Sequence, residues 1–183
     1  MKRFFSLLVT ALAVTAVAVP LVQTANASPP EPTVPSDIAV LEGNKLFLVG
    51  HAVGVQIYSC NLTAGQYSWT LVAPRANLYG DNGKLVATHF GGPTWQATDG
   101  SYVVGRVEKR VPVAGTIPWL RLAADQQVAG LDGDRLAGTT FIQRINTTGG
   151  VAPAAADCNA LTINTTSEID YTADYYFWKP TGA

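Results

Sequence analysis

Hydrophobic and polar residues alternate with a period of two along much of the chain, which is the pattern of β-strands. The clearest case is residues 168–177, where apolar and aromatic side chains occupy one phase and acidic residues and threonine occupy the other. The first phase consists of Ile169, Tyr171, Ala173, Tyr175 and Phe177. This alternation predicts a strand with one buried face and one face in water.

The same pattern predicts further strands, which are separated by short turns rich in Gly, Asn and Asp. Longer strands are predicted at residues 53–60, 66–71 and 139–145, and shorter ones at 46–49, 85–90, 102–108 and 119–122. The turns are "GDNG" (80–83), "TDG" (98–100), "DGD" (132–134) and "TTGG" (147–150). These residues adopt the positive φ angles that tight turns require.

Many short strands with Gly-rich turns and no helical stripe are typical of an all-β fold. We therefore predict a single-domain β-sandwich or a closed antiparallel β-barrel over residues 38–180. One short helical turn is predicted near Ala154–Cys158. Residues 28–37 contain four prolines and are predicted to form an extended lead-in.

The N-terminal segment has the features of a secretory signal peptide. Lys2 and Arg3 precede an almost wholly apolar run at residues 4–22, and Ala25 and Ala27 form an A-x-A cleavage site. We predict cleavage near Ala27 and export to the periplasm, the cell envelope or the medium. The alternative is a retained membrane anchor, because the apolar run is about long enough to span a bilayer.

Charge and cysteine content agree with an exported protein that binds neither nucleic acid nor membrane after cleavage. Loss of Lys2 and Arg3 from the 12 basic residues, against 13 acidic ones, leaves a net charge near −3. Nucleic-acid and anionic-membrane sites need clustered Lys and Arg instead. The two cysteines, Cys60 and Cys158, are predicted to form a disulfide, because an even pair in an oxidising compartment is normally bonded.

Several ordered segments resemble the family called domain of unknown function 3455, whose members are mostly secreted bacterial and fungal proteins. They are "GVQIYSC" (54–60), "APRANL" (73–78), "THFGGPTWQATDGSYVVG" (88–105), "IPWLRL" (117–122), "FIQRINTTGGVAP" (141–153) and "YTADYYFW" (171–178). The resemblance implies no established activity. The chain departs from the family's usual "APEA" run, since Arg75 replaces the acid.

The stretch at residues 88–106 contains the residues of a possible hydrolytic site. In that hypothesis His89 is a general base oriented by Asp99, and Ser101 is the nucleophile. No nucleophile elbow of the G-x-S-x-G type is present. An Asp-Gly-Ser sequence also forms an ordinary turn, in which the Asp side chain bonds the backbone two residues on.

A second hypothesis is a concave patch that binds a polar small molecule or a cell-wall carbohydrate. Aromatic faces flanked by Arg and Asp hold such ligands. The candidate residues are His89, Trp95, Asp99, Arg106, Trp119, Arg144, Asp174 and Tyr175. If Arg106 and Arg144 both point into one cavity, they require an anion or an acidic partner.

A third interpretation is purely structural, with Gly91–Pro93 as a turn in the chain; the hydrolytic hypothesis uses the same turn to fold residues 102–108 back beside 85–90. Trp95 then packs into the core and His89 bonds a loop carbonyl or carboxylate. A metal site formed by His51, His89 and Asp99 is disfavoured, because the two histidines have unrelated spacing. We expect no metal and no cofactor, since a Gly-rich dinucleotide turn is also missing from the sequence.

Overall fold

The computed structural model describes residues 28–182, so the predicted signal peptide, residues 1–27, lies outside the described residues. Eight antiparallel strands form one sheet, and each strand pairs with the next. They are β1 (Asn44–Thr63), β2 (Gln66–Tyr79), β3 (Leu85–Phe90), β4 (Thr94–Ala97), β5 (Tyr102–Val111), β6 (Trp119–Val128), β7 (Phe141–Gly149) and β8 (Thr166–Pro180). Pairing of β8 with β1 closes the sheet into a barrel. The predicted all-β class is therefore confirmed, as a closed barrel rather than a sandwich.

Two glycines on β1 lie opposite aromatic residues of β8 and pack closely against β2. Gly50 lies opposite Tyr175, and Gly54 lies opposite Tyr171. A Cβ atom at Gly54 would be 2.2 Å from the carbonyl oxygen of Arg75 on β2, so no larger residue fits without displacing backbone. The predicted inner face of β8 is confirmed from Tyr171 onward, because Tyr171, Ala173, Tyr175 and Phe177 are buried, whereas Ile169 is half-buried.

Two of the strand predictions differ from the structure. Residues 46–49 and 53–60 are parts of one continuous 20-residue strand, β1. The placement of residues 102–108 beside 85–90, which the hydrolytic hypothesis uses, is wrong, because β4 lies between β3 and β5 and pairs with both. A four-residue strand that follows Gly-Gly-Pro is too short for periodicity to reveal.

The two ends of the barrel differ. One end, here called the closed end, carries the loop of residues 129–140, which places Leu136 in the barrel core. The Asp99 carboxylate holds this loop by accepting a hydrogen bond from the Arg135 N–H at 2.9 Å. The other end, here called the open end, carries the β1–β2, β3–β4, β5–β6 and β7–β8 connections. A cavity opens among the strands at this end.

The disulfide and the predicted helical turn are both confirmed at the open end. Cys60 and Cys158 are bonded, with their Cα atoms 5.3 Å apart. A 3-10 turn at Ala155–Asp157 precedes Cys158. Together they tie the long β7–β8 connection to the end of β1.

The lead-in packs against the outside of the barrel instead of extending freely. A 3-10 turn at Ser36–Ile38 interrupts the predicted extended segment. The Ile38 carbonyl accepts a hydrogen bond from the Gln143 side chain on β7 at 2.7 Å, and the Ala39 carbonyl accepts one from Arg121 on β6. Across residues 28–182, no helix has the length and apolar character needed to cross a membrane.

Candidate functional site

The open end of the barrel contains a cavity of about 370 Å³. Inward-facing side chains of most strands contribute to its wall, because alternate residues of each strand point into the barrel. Apolar residues dominate this wall: Leu71, Val72, Ala73, Pro74, Pro93, Val107, Ile117, Pro118, Leu120 and Leu122. The polar and aromatic residues of the wall are Gln56, Tyr58, His89, Trp95, Arg110, Arg144 and Tyr175.

Stacked rings form the base of this cavity. His89 on β3 and Trp95 on β4 are paired residues of the β3–β4 hairpin. Their rings are parallel within 3°, with centroids 4.3 Å apart. Tyr175 meets both rings edge-on, at 5.2 and 5.3 Å. Gly105 on β5 leaves the space that the Trp95 ring occupies, since a Cβ there would lie 3.0 Å from this ring.

His89 is a neutral side chain at physiological pH. Burial lowers the pKa of His89 to about 3; the bond to the Thr94 carbonyl opposes this shift, and the charge of Arg144 adds to it. Nδ1 lies 2.8 Å from that carbonyl oxygen. Because a carbonyl can only accept, Nδ1 carries the proton and Nε2 has a free lone pair. A base this weak is a poor general base near neutral pH.

Arg144 on β7 brings a positive charge to the cavity wall. Its Nε and Nη2 atoms donate to the Pro118 carbonyl at 3.2 and 2.9 Å. These bonds fix the guanidinium plane and use two of its five N–H groups, and the Arg144 side chain also hydrogen-bonds the Tyr175 hydroxyl. The charge acts on neighbouring cavity residues: burial raises the pKa of Tyr58 and of Tyr175, and Arg144 opposes both shifts.

Two further N–H donors in the cavity wall have no acceptor among the described residues. They are Nε2 of Gln56 and Nε1 of Trp95, and both atoms are buried. Buried N–H groups normally have partners, and those without one require an explanation such as a ligand or water. The cavity therefore combines an apolar wall with donors that lack acceptors.

Four of the eight residues predicted to form a ligand patch line this cavity: His89, Trp95, Arg144 and Tyr175. The structure thus brings together residues from β3, β4, β7 and β8. Their shared location agrees with the predicted patch, and their role in binding stays a prediction.

The other four predicted patch residues lie elsewhere. Arg106 follows the inward-facing Gly105, so it points outward and contacts Glu108 and Asp125 at 3.6 and 3.8 Å. Trp119 and Asp174 are likewise adjacent to the inward-facing residues Leu120 and Tyr175 and belong to the outer face. Arg106 and Arg144 therefore do not share a cavity.

Asp99, the fourth of these residues, lies at the closed end with Ser101. The Ser101 hydroxyl donates to the Asp99 carboxylate at 2.6 Å and accepts from the Leu136 N–H at 3.0 Å. His89 contacts the Thr94 carbonyl instead, near the opposite end of the β3–β4 hairpin. The three residues of the hydrolase hypothesis thus do not form a relay. Desolvation acts to raise the pKa of Asp99, but hydrogen bonds led by Ser101 give a net lowering.

The second histidine, His51, is on the outer face of β1. Nδ1 contacts Asp174 at 2.6 Å and Nε2 contacts Asp81 at 2.9 Å. Hydrogen bonds to Asp81 and then Asp174 raise the pKa of His51. Since His51 and His89 lie on opposite faces of the sheet, they cannot share a metal. No group of three His, Cys, Asp or Glu residues in the described chain could hold a metal ion.

Sequence reasoning missed Gln56, Tyr58 and the Pro118 carbonyl as parts of the site. Gln56 and Tyr58 lie on the inner phase of β1, and Tyr58 donates to the Gly150 carbonyl at 2.7 Å. Alternation gives no signal for Gln56, because the apolar residues Val53, Val55 and Ile57 occupy the opposite phase of this strand. No local signal marks a backbone carbonyl such as that of Pro118.

Comparison with known proteins agrees with the motifs noted in the sequence. The profile of the family described as "Protein of unknown function (DUF3455)" matches residues 41–179, which include the whole cavity wall. No curated protein matches the chain, and no solved structure matches it. The resemblance predicted from the ordered motifs is confirmed, and the chain belongs to the DUF3455 family of proteins of unknown function.

Proposed function

We propose that this protein binds a small, largely apolar molecule in the open end of its barrel. The observation that carries the proposal is the 370 Å³ cavity, whose wall is mostly apolar and includes two buried N–H donors without acceptors. Small-molecule sites occupy about 300–1,000 Å³ and combine apolar walls with a few polar groups. Eight-stranded barrels have room for one small ligand.

The wall favours an amphipathic molecule over a free sugar. A sugar needs polar partners around its ring and an open aromatic face to stack on. One face of Trp95 is covered by the parallel His89 ring, and the indole is only 1% exposed. The apolar side chains of the wall match a hydrocarbon or aromatic group instead.

Binding is also better supported than hydrolysis. The pKa of His89, about 3, is far from the value that suits a general base at neutral pH. Ser101 and Asp99 bond each other and the 129–140 loop at the closed end. The proposed role is therefore that of a binding protein. The disulfide suits an exported protein, because such bonds persist in oxidising compartments.

A thermal-shift screen of the oxidised protein tests the proposal. The probes are benzamide, 4-phenylbutanamide, benzoate, 4-phenylbutanoate, glucose and N-acetylglucosamine. A probe at one hundred times its dissociation constant adds about 2.7 kcal/mol. For a protein of this size that is a rise in Tm of roughly 5–10 °C. We expect such rises with phenyl-bearing probes and none with the two sugars.

Matched variants locate the bound probe. Ala73→Phe fills the mouth of the cavity and is expected to abolish the shift. Trp95→Phe removes an unpaired N–H group in the cavity wall. Trp119→Phe is its control, because the Trp119 Nε1 is also buried and unpaired but lies outside the cavity wall. Absence of any shift, or shifts that survive Ala73→Phe, would refute binding at this site.

A further inference from the structure

The charge on the cavity wall has no counter-charge. The wall contains Arg144 and, at its exposed rim, Arg110, but among the described residues that line it there is no Asp or Glu. None of the ion pairs of the described chain involves Arg144. A guanidinium beside apolar side chains is poorly compensated unless an anion joins it.

Three arginines on the outer face of the barrel, unlike Arg144, have acidic partners. Arg75 contacts Glu168 at 2.6 Å, Arg106 contacts Glu108 and Asp125, and Arg121 contacts Glu108 at 3.5 Å. Acidic partners are thus present outside the barrel, both for the exposed Arg75 and Arg106, whose charges water screens, and for Arg121, whose side chain is 10% exposed. Inside the barrel, where a charge depends more on an acidic partner, Arg144 has none among the described residues.

The orientation of Arg144 suits a planar anion. The Pro118 carbonyl holds its Nε and Nη2 atoms. The Pro118 carbonyl does not use the edge formed by Nη1 and the second Nη2 hydrogen, and the Tyr175 hydroxyl is a further hydrogen-bond partner of the guanidinium. Two parallel N–H groups on such an edge match the two oxygens of a carboxylate. The unpaired N–H groups of Gln56 and Trp95 are further donors in the same wall.

We infer that the ligand of this cavity is an amphipathic monocarboxylate whose carboxylate pairs with Arg144 and whose apolar part contacts residues such as Leu120 and Leu122. The inference rests on the binding function proposed above and names the class of ligand. One inward guanidinium balances one negative charge, which favours a carboxylate over a phosphate dianion. The apolar wall then accommodates a short hydrocarbon or aromatic group.

Isothermal titration calorimetry with matched probes tests this inference. 4-Phenylbutanoate and 4-phenylbutanamide share size and shape but differ in charge, and phenyl phosphate supplies a dianion. We expect the carboxylate to bind about ten- to a hundredfold more tightly than the amide, as charge-assisted hydrogen bonds imply. Arg144→Met should remove that preference, so that the acid and the amide bind with similar affinity.

Two control variants make the result specific. Arg144→Lys keeps the charge but loses the planar pair of donors, so it should retain only part of the preference. Arg106→Met removes an arginine from the outer face and should leave both affinities as in the wild type. Circular dichroism checks that each variant is folded, and the wild-type comparison of acid with amide decides the question even if Arg144→Met does not fold.

The outcomes separate this inference from the proposed function. Equal binding of acid and amide would overturn the carboxylate assignment while leaving the binding function intact. Tighter binding of phenyl phosphate would overturn the choice of a monoanion. If neither acid nor amide binds, both the proposed function and the carboxylate assignment fail.

Discussion

The two histidines of this chain should make opposite contributions to the pH dependence of stability. His89 is 3% exposed and has a pKa lowered to about 3, chiefly by burial. His51 has a raised pKa, because it lies between two carboxylates. Since the chain has two histidines in all, two substitutions can separate their contributions completely.

The expected effect of His89 follows from proton linkage. In the unfolded chain the imidazole has a pKa of about 6.5, so at pH 5 it binds a proton that the folded protein excludes. The contribution of His89 to the free energy of unfolding is therefore fully present above pH 6.5 and is lost as the pH falls toward 3. Over the 1.5 pH units between 6.5 and 5, the loss is about 2 kcal/mol, at about 1.4 kcal/mol per unit.

His51 should change the free energy of unfolding with pH in the opposite direction. Its folded pKa is above the unfolded value of 6.5. The stabilisation is therefore complete below pH 6.5 and disappears as the pH rises through the raised folded pKa. The side chain is 44% exposed, so water and salt screen its two ion pairs, and the effect should be smaller than that of His89.

Urea denaturation at pH 5, 6, 7 and 8 measures both effects. In His51→Gln, His89 is the remaining histidine, and the free energy of unfolding should fall by about 2 kcal/mol from pH 8 to pH 5. In His89→Phe, where His51 is the remaining histidine, the free energy of unfolding should instead rise from pH 8 to pH 5. Phe keeps a ring against Trp95 and loses the bond to Thr94, which lowers stability equally at every pH.

The double variant His51→Gln, His89→Phe is the control and should be nearly independent of pH in this range, because most carboxylates titrate lower. If His51→Gln is as stable at pH 5 as at pH 8, the reasoning about His89 is refuted. Nitrogen NMR gives an independent check, since His89 should remain the neutral Nδ1–H tautomer down to pH 4.

Three further changes test other parts of the structure. Replacing Cys60 and Cys158 by serine opens a loop spanning 98 residues, and chain entropy predicts a loss of about 4.7 kcal/mol in urea denaturation. Gly54→Ala places a Cβ 2.2 Å from the Arg75 carbonyl oxygen. This overpacking should lower the free energy of unfolding by about 1–3 kcal/mol, and the Tm should fall as well. Asp99→Ala removes three hydrogen bonds at the closed end, and calorimetry should show a loss of about 2 kcal/mol.

Each of these changes has a matched comparison. Gly138→Ala meets no atom within 4 Å and should be tolerated, whereas equal losses at Gly54 and Gly138 would contradict the packing argument. Asp132→Ala changes another carboxylate near the closed end and should leave stability nearly unchanged. Reduction of the wild type should reproduce the loss seen in the double serine variant, and a stable reduced protein would contradict the entropic estimate.

Local patterns determined much of the fold without reference to tertiary structure. Alternation placed β8 and its buried face correctly, because a strand with one wet side has a period of two in sequence. The pairing of Cys60 with Cys158 also followed from the sequence, since the chain has two cysteines and one possible pairing. Such features depend on neighbouring residues or on simple counting.

Tertiary structure alone decided which face of β7 lines the cavity. Phe141 and Ile145 share one apolar phase of β7, but Ile142 and Arg144 of the other phase point into the barrel. The physical reason is that the lead-in covers the outside of β7 through Gln143 and Ile38, so both faces of the strand are shielded from water. Alternation cannot identify the inner face of such a strand.

The candidate site likewise depends on closure of the barrel. His89 and Trp95 are neighbours across one hairpin, and their proximity could be expected from sequence. Arg144 and Tyr175 join them because β7 pairs with β8 and β8 pairs back with β1, which are long-range contacts. The sequence by itself thus determined most of the strands, though not β4, and the disulfide, whereas barrel closure decided that an arginine without an acidic partner would lie beside His89 and Trp95.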